Sequence, residues 1–154
     1  GYYSEIPEQV RTVRTLGFTG GIVGPDAWDM ISGDQPSELY GARFLAAWHP
    51  AAPQSEAGRE FLERFTARFG RRPTSVEALV RDAFGLVVLA ASRAQALDRN
   101  SLRQELAGIK EFHGVAGRAV YQDGTPVRDA LVMEVSSRGI LYVQTITPED
   151  VARR

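Results

Sequence analysis

Gly1-Tyr2-Tyr3-Ser4-Glu5 leads through one helical segment to Gly20-Gly21-Ile22-Val23-Gly24-Pro25-Asp26-Ala27-Trp28, and the fold is decided by how this stretch is read. Ile6, Val10, Val13 and Leu16 recur at helical spacing. Ser4 is available as a cap, Pro7 is tolerated in a first turn, and Gly17 stands where a C-terminal stop belongs. The run from Gly20 to Gly24 is too short for a helix between its glycines and reads as a buried strand. With Tyr2-Tyr3 as the carboxyl end of a preceding strand, the order is strand, crossover helix, strand. In an open parallel sheet the carboxyl ends of neighbouring strands line one edge, where ligands bind. Tyr2 and Asp26 then share a rim, and a phenol beside a carboxylate suits a small zwitterion.

Working outward, Ala27 to Ile31 reads as one helical turn ended by Ser32-Gly33-Asp34, and Ala42 to Trp48 as another strand that stops at His49-Pro50. The connector Pro50 to Gln54 precedes a helix starting at Ser55, with Phe61, Leu62, Phe65 and Phe69 as its apolar stripe and Gly70 to Pro73 as its end. Ser75 is the expected cap of the longest helix, Val76 to about Ala96; with Ala78 three residues on, it lacks a full capping box. The middle of that helix, Ala83 to Leu89, is apolar nearly all round, which predicts burial on more than one side. Asn100-Ser101 opens a short helix that runs to Gly108. Three strands follow, Gly117 to Gln122, Ala130 to Val135 and Ile140 to Ile146. Asp123-Gly124 signals the first turn, with Pro126 expected to lengthen it, and Ser137-Arg138-Gly139 the second.

At 154 residues the chain has the length of one ordinary domain, and 44% hydrophobic with 24% charged residues is a soluble globular composition. A net charge of −1 and a pI near 6.2 exclude a bulk electrostatic attraction to nucleic acid or an anionic membrane. Lys110 is the sole lysine among the basic residues, and nothing in the arginine spacing forms a phosphate-binding array. The absence of cysteine excludes disulfides, thiolate metal sites and cysteine nucleophiles. No apolar run approaches the roughly 20 residues of a membrane span. No secretory signal is visible, and a start in mid-pattern reads as a mature fragment or an excised piece.

Several short motifs occur in a telling order: Gly1-Tyr2-Tyr3-Ser4-Glu5, Leu16-Gly17-Phe18, Gly24-Pro25-Asp26-Ala27-Trp28, Tyr40-Gly41, Phe61 to Gly70 followed by Arg72-Pro73, Asp82-Ala83, and Gly114-Val115-Ala116-Gly117 with Tyr121-Gln122-Asp123-Gly124. In this order and with these gaps, the chain resembles the carboxyl-terminal half of a type I periplasmic substrate-binding protein, of the branched-chain amino acid (Leu/Ile/Val) branch of the ABC importers. The resemblance implies an α/β fold of two open parallel-sheet lobes with flanking helices, present here as a partial two-lobe fragment. Residues 1–48 would belong to lobe two, 49–112 to a helical segment of lobe one, and 113–154 would return to lobe two, with Pro50 to Pro53 and Phe112 to Gly117 near the hinges.

It implies an extracytoplasmic solute receptor, periplasmic or extracellular, with a membrane anchor in the whole protein left open. Its partners would be an amino acid or related small solute and the membrane permease subunits, with no nucleic acid, no cofactor, no metal and no enzymatic chemistry. Tyr2 matches the family's ligand-facing strand-end tyrosine. Asp26 matches the acidic residue that takes the ligand's ammonium group, one methylene shorter than a glutamate. Trp28 would wall the cleft. Arg81 departs from the aromatic residue the family often carries there.

The residues also support plainer readings. Asp26 would otherwise be a turn aspartate capping the short helix after Gly24-Pro25, Tyr2 a half-buried strand aromatic, and Trp28 a core residue. Tyr3 would point to the opposite face as packing. Asp26 with Asp29 is too few oxygens for a hard cation. His49 and His113 read as surface near the hinges, and Arg68, Arg71 and Arg72 as charges suited to a helix C-terminus. The glycine patterns do not make a dinucleotide fingerprint. A sensory domain of the same fold remains an alternative, and a hydrolase using Asp26 or Asp82 with a histidine a weaker one. If the fragment stands alone, its phenylalanine stripe would face water, and oligomerisation or domain swapping with poor amino acid binding is expected.

Overall fold

The computed structural model describes residues 4–31 and 35–153. The strand expected to end at Tyr2-Tyr3, and the turn at Ser32-Gly33-Asp34, lie outside the described residues. Helix α1 (Ile6–Thr15) forms as its apolar spacing dictates, burying Ile6 and Val10, with Pro7 in its first turn. Ser4 is not its cap: the helix starts from Glu5 without a side-chain capping bond. Gly17 takes a φ of +87°, the left-handed turn that ends a helix cheaply only with glycine.

The strand expected from Gly20 shrinks to β1 (Val23–Gly24), parallel to β2 (Arg43–Ala46). It sits at the edge of a four-stranded sheet of order β1-β2-β6-β7, so Val23 is exposed where a buried strand was expected. β6 (Ala130–Ser136) runs antiparallel to β2, and β7 (Gly139–Ile146) antiparallel to β6 with a register shift between Val132 and Met133. The β1–β2 pair is thus the parallel element of this sheet among the described residues. Its core joins Ile6 and Val10 of α1 to Trp28, Leu39, Phe44, Ala46, Met133 and Val135.

Residues 49–128 build a second region. Helix α2 (Glu56–Phe69) is capped by Ser55, whose hydroxyl accepts the Gly58 N–H at 3.0 Å, and it ends at Gly70 with φ +67°. Its phenylalanines form a ring ladder, Phe61–Phe65 at 5.6 Å and Phe65–Phe69 at 4.5 Å. Only the near end is anchored: Phe61 packs with Trp48, Ala78 and Val115, while Phe69 is exposed.

Helix α3 (Ser75–Arg93) starts one residue earlier than expected. Thr74 is its cap, and Glu77 completes the capping box by accepting the Thr74 N–H at 2.6 Å and the Thr74 hydroxyl. The expectation of burial on more than one side fails. Ala78, Asp82 and Ala90 are buried on one face, where α4 (Arg99–Gly108) and β3 (Glu111–Gly114) pack, but Val80 and Phe84 are 62% and 65% exposed. Nothing among the described residues covers that stripe. α4 is capped by Asp98, which accepts the N–H groups of Asn100 and Ser101, rather than by Asn100-Ser101.

β3 pairs with β4 (Gly117–Gln122), and β4 with β5 (Thr125–Arg128), in a three-stranded antiparallel sheet. Asp123-Gly124 closes a two-residue hairpin with φ of 50° and 79°, the positive pair that matches strand twist, so Pro126 does not lengthen it. Pro126 is tolerated because β5 is an edge strand. A short helix α5 (Pro148–Ala152), capped by Thr147 and Asp150, was not anticipated from sequence.

Candidate functional site

Between the two regions lies a cleft of about 220 Å³, lined by Asp26, Ala27, Asp29, Ala47, Ser75, Val76 and Leu79. One wall is the short 3₁₀ turn Asp26–Met30 that follows β1. Gly24 is required there, because a Cβ would lie 2.2 Å from the ring of Trp28. The indole folds back onto that glycine and is 7% exposed, so the turn is clamped against the core. In a 3₁₀ turn residues i and i+3 eclipse, which puts Asp26 and Asp29 on one face. The opposite wall is the first turn of α3, with Ser75 buried at its start, and Ala47 at the end of β2 forms the floor.

The two carboxylates differ. Asp29 is half-buried, and burial pushes its pKa up, partly offset by the Ser75 hydroxyl and reinforced by the nearby Asp26 charge. Asp26 is exposed. It does not cap the turn: Pro25 is the N-cap and no side chain makes a capping bond. Among the described residues no basic side chain lines the cleft. The arrangement offers a free carboxylate at the rim, a second acid deeper in, and apolar contact from Ala27, Val76 and Leu79, which fits a small cation carrying an apolar body.

Of the residues singled out from sequence, Tyr2 lies outside the described residues, Asp26 lines the cleft, and Trp28 stands behind it in the core. Asp82 is elsewhere. It is 6% exposed, and its two oxygens accept the Val115 N–H at 2.6 Å and the Ala116 N–H at 2.9 Å. Both oxygens are thereby committed to backbone, which removes it as a catalytic acid. His49 is half-buried rather than surface: burial, then the Arg72 charge, lowers its pKa to about 4, and its Nδ1 accepts the Ala51 N–H at 3.1 Å. His113 is exposed and bonded to Glu111 at 2.7 Å, and the Arg118 guanidinium, then His113, holds Glu111 down at about 2. Neither histidine lines the cleft. Among the described residues no group of three or more metal-ligating side chains occurs, and no helix is long and apolar enough to cross a membrane.

Sequence reasoning left out Asp29 and Ser75 as cleft residues. Asp29 had been weighed only as half of a metal pair, and Ser75 only as a cap. The usable signal was the i, i+3 spacing of two acids directly after Gly24-Pro25.

The sequence pattern of the periplasmic binding protein family matches residues 4–139. No curated protein matches the sequence. Among solved structures, a leucine binding protein, LivK, from Thermotoga maritima is 29% identical, with a TM-score of 0.85 over 97% of this chain and 44% of its own. The branched-chain amino acid transporter substrate binding protein LivJ from Streptococcus pneumoniae, solved with isoleucine, is 24% identical with a TM-score of 0.74, covering 93% of this chain and 42% of its own. An ABC transporter substrate-binding protein from Desulfitobacterium hafniense, solved with leucine, is 19% identical with a TM-score of 0.78, covering 92% and 41%. The last two bear on the fold alone. These neighbours are solute-binding proteins, not enzymes, and the chain spans less than half the length of each.

Proposed function

The chain belongs to the periplasmic binding protein family, and we propose that it supplies the acidic jaw of an amino-acid-binding cleft in the extracytoplasmic receptor of an ABC importer. The observation that carries this reading is the exposed Asp26 carboxylate at the rim of a cleft between two separately built regions. The ligand's ammonium group would dock on Asp26 and its side chain against Val76 and Leu79. Tyr2 would add one hydrogen bond, and Trp28 would back the wall. The similarity to the Thermotoga leucine binding protein supports an aliphatic α-amino acid as ligand.

In this reading residues 1–48 and the tail belong to one lobe and the α2–α4 segment to the other. Pairing of β3 with β4 and β5, and of β6 with β2, supports placing the return crossing near Asp129. Closure over the ligand would present a surface to permease subunits. A charge-assisted hydrogen bond in a closing cleft contributes about 1.5–3 kcal/mol. In the protein that joins this chain to a remaining lobe, Asp26→Ala should therefore weaken leucine binding by about 10- to 150-fold, read by calorimetry. An unchanged affinity overturns the assignment. The chain by itself should bind leucine poorly and self-associate through the exposed α3 stripe, because nothing among the described residues covers that apolar surface. Light scattering showing a stable monomer, together with micromolar leucine binding, would refute this second statement.

A further inference from the structure

A second pocket, of about 150 Å³, lies where the chain passes between its two sheets. Two such segments line it, Trp48, Gln54 and Ser55 on the way from β2 to α2 and Asp129 at the start of the link into β6, together with the β3–β4 turn around Gly117 and Thr145 of β7. Trp48 is 3% exposed, and its indole Nε1–H has no partner among the described residues. Gln54 Oε1 is likewise buried without one. The amide cannot be turned to cure this, because Nε2 already donates to the carbonyls of His49 at 2.8 Å and Ala52 at 2.7 Å. Ser55 Oγ accepts the Gly58 N–H and keeps its own proton to donate. Buried donors and acceptors are almost always paired, by protein or by ordered water.

We infer that this pocket is a binding site for ordered water, at least two molecules, relaying hydrogen bonds from the Trp48 indole to Gln54 Oε1, with Ser55, Asp129 and Thr145 as further partners. The volume is several times the roughly 30 Å³ share of one water, and the polar groups are of both kinds, as a water relay needs. The lining charges are one cation, Arg118, and one anion, Asp129, so no net charge draws an ion in. On the two-lobe reading above, the relay sits at the bend. Water can exchange partners as segments turn, whereas a direct indole–amide bond would have to break. Occupancy by water does not depend on that reading.

The test uses the ligand-free chain, labelled with nitrogen-15. Trp48→Phe identifies the Trp48 indole N–H resonance by its loss, leaving that of Trp28. The wild-type Trp48 resonance should show cross-relaxation with water of the sign given by long-lived bound molecules, and Trp28 should not. A high-resolution crystal structure should place solvent within hydrogen-bond distance of both Trp48 Nε1 and Gln54 Oε1, and Gln54→Met should lose the molecule on the latter. The inference falls if no water contact reaches the Trp48 indole, if Nε1 bonds a protein atom instead, or if a solute or ion fills the pocket. The crystallographic readout stands even where Trp48→Phe does not fold. Asp26→Ala should leave every one of these signals in place, so failure of the ligand-site reading and failure of the water site are told apart.

Discussion

Removing the Asp82 carboxylate tests whether α3 and the turn at residues 114–117 are held together as one unit. The side chain is 6% exposed and accepts two backbone N–H groups, from Val115 at 2.6 Å and Ala116 at 2.9 Å. Asp82→Ala orphans both. Each charge-assisted bond is worth about 1.5–3 kcal/mol, so the expected loss for the two is about 3–6 kcal/mol, a large part of a domain's usual stability of about 5–15. Gly114 supplies the internal control, because a Cβ there would lie 2.3 Å from the Asp82 carboxyl carbon. Gly114→Ala should therefore cost at least about 1 kcal/mol in the native sequence and much less beside Asp82→Ala, where the methyl enters vacated space. The double-mutant cycle should show a coupling of about 1 kcal/mol or more. Urea unfolding followed by tryptophan fluorescence reads all four proteins, with Trp48 reporting from the cluster that contains Val115. A loss below about 1 kcal/mol for Asp82→Ala, or strict additivity of the pair, would refute the clamp.

Three further outcomes follow from the same structure. The depressed pKa of His49, about 4 against 6.5, means the unfolded state takes up a proton first; stability is full above pH 6.5 and falls as pH drops through 4, by up to about 3 kcal/mol, and His49→Gln should flatten that part of a pH–stability curve. Burial raises the Asp29 pKa, so its contribution is least unfavourable below the ordinary 3.8 and worsens as pH rises through the folded value; Asp29→Asn should raise the thermal midpoint at pH 7 and leave it unchanged near pH 3. Burial pushes Glu77 up, but Arg71 and Thr74 outweigh it and hold it at about 2, so Glu77→Ala should remove the α3 capping box and cost about 0.5–2 kcal/mol in denaturant unfolding at pH 7.

Much of the architecture was legible because local signals agreed with global packing. The α1 spacing and the Ser55 cap with Gly70 each name their own geometry, and Asp123-Gly124 marks the place of its turn, though not the two-residue length that Pro126 was expected to extend. What was misread depended on partners far away in sequence. β3 carries Gly114 and a histidine and has little strand character alone; it exists because Glu111 to Gly114 pair with Gly117 to Val120. The α3 stripe looked like a doubly buried helix because apolar composition does not say whether a neighbour is present to cover it. Asp82-Ala83 and Gly114 to Gly117 were noticed as separate motifs, and only the fold reveals that they are two halves of one carboxylate clamp.

The same dependence on distant partners decides how Asp26 is weighed. From sequence, a carboxylate after Gly24-Pro25 is as well explained by capping as by ligand binding. The structure bears on the first reading alone: a capping side chain must face backbone N–H groups, and among the described residues Asp26 makes no such bond while Pro25 holds the cap position. Its partner acid shows the contrast. Asp29, one 3₁₀ turn along, is drawn under the first residue of α3, meets the Ser75 hydroxyl and is penalised by burial. A cleft that held both acids equally deep would repel its own charges and favour protonation over recognition. Here Asp26 stands exposed at the rim while Asp29 lines the wall, and on the proposed reading the rim acid is the one a ligand's ammonium group would meet. That division follows from the tight clamp of Trp28 on Gly24, which fixes the turn so that its two acids share a face but not a depth.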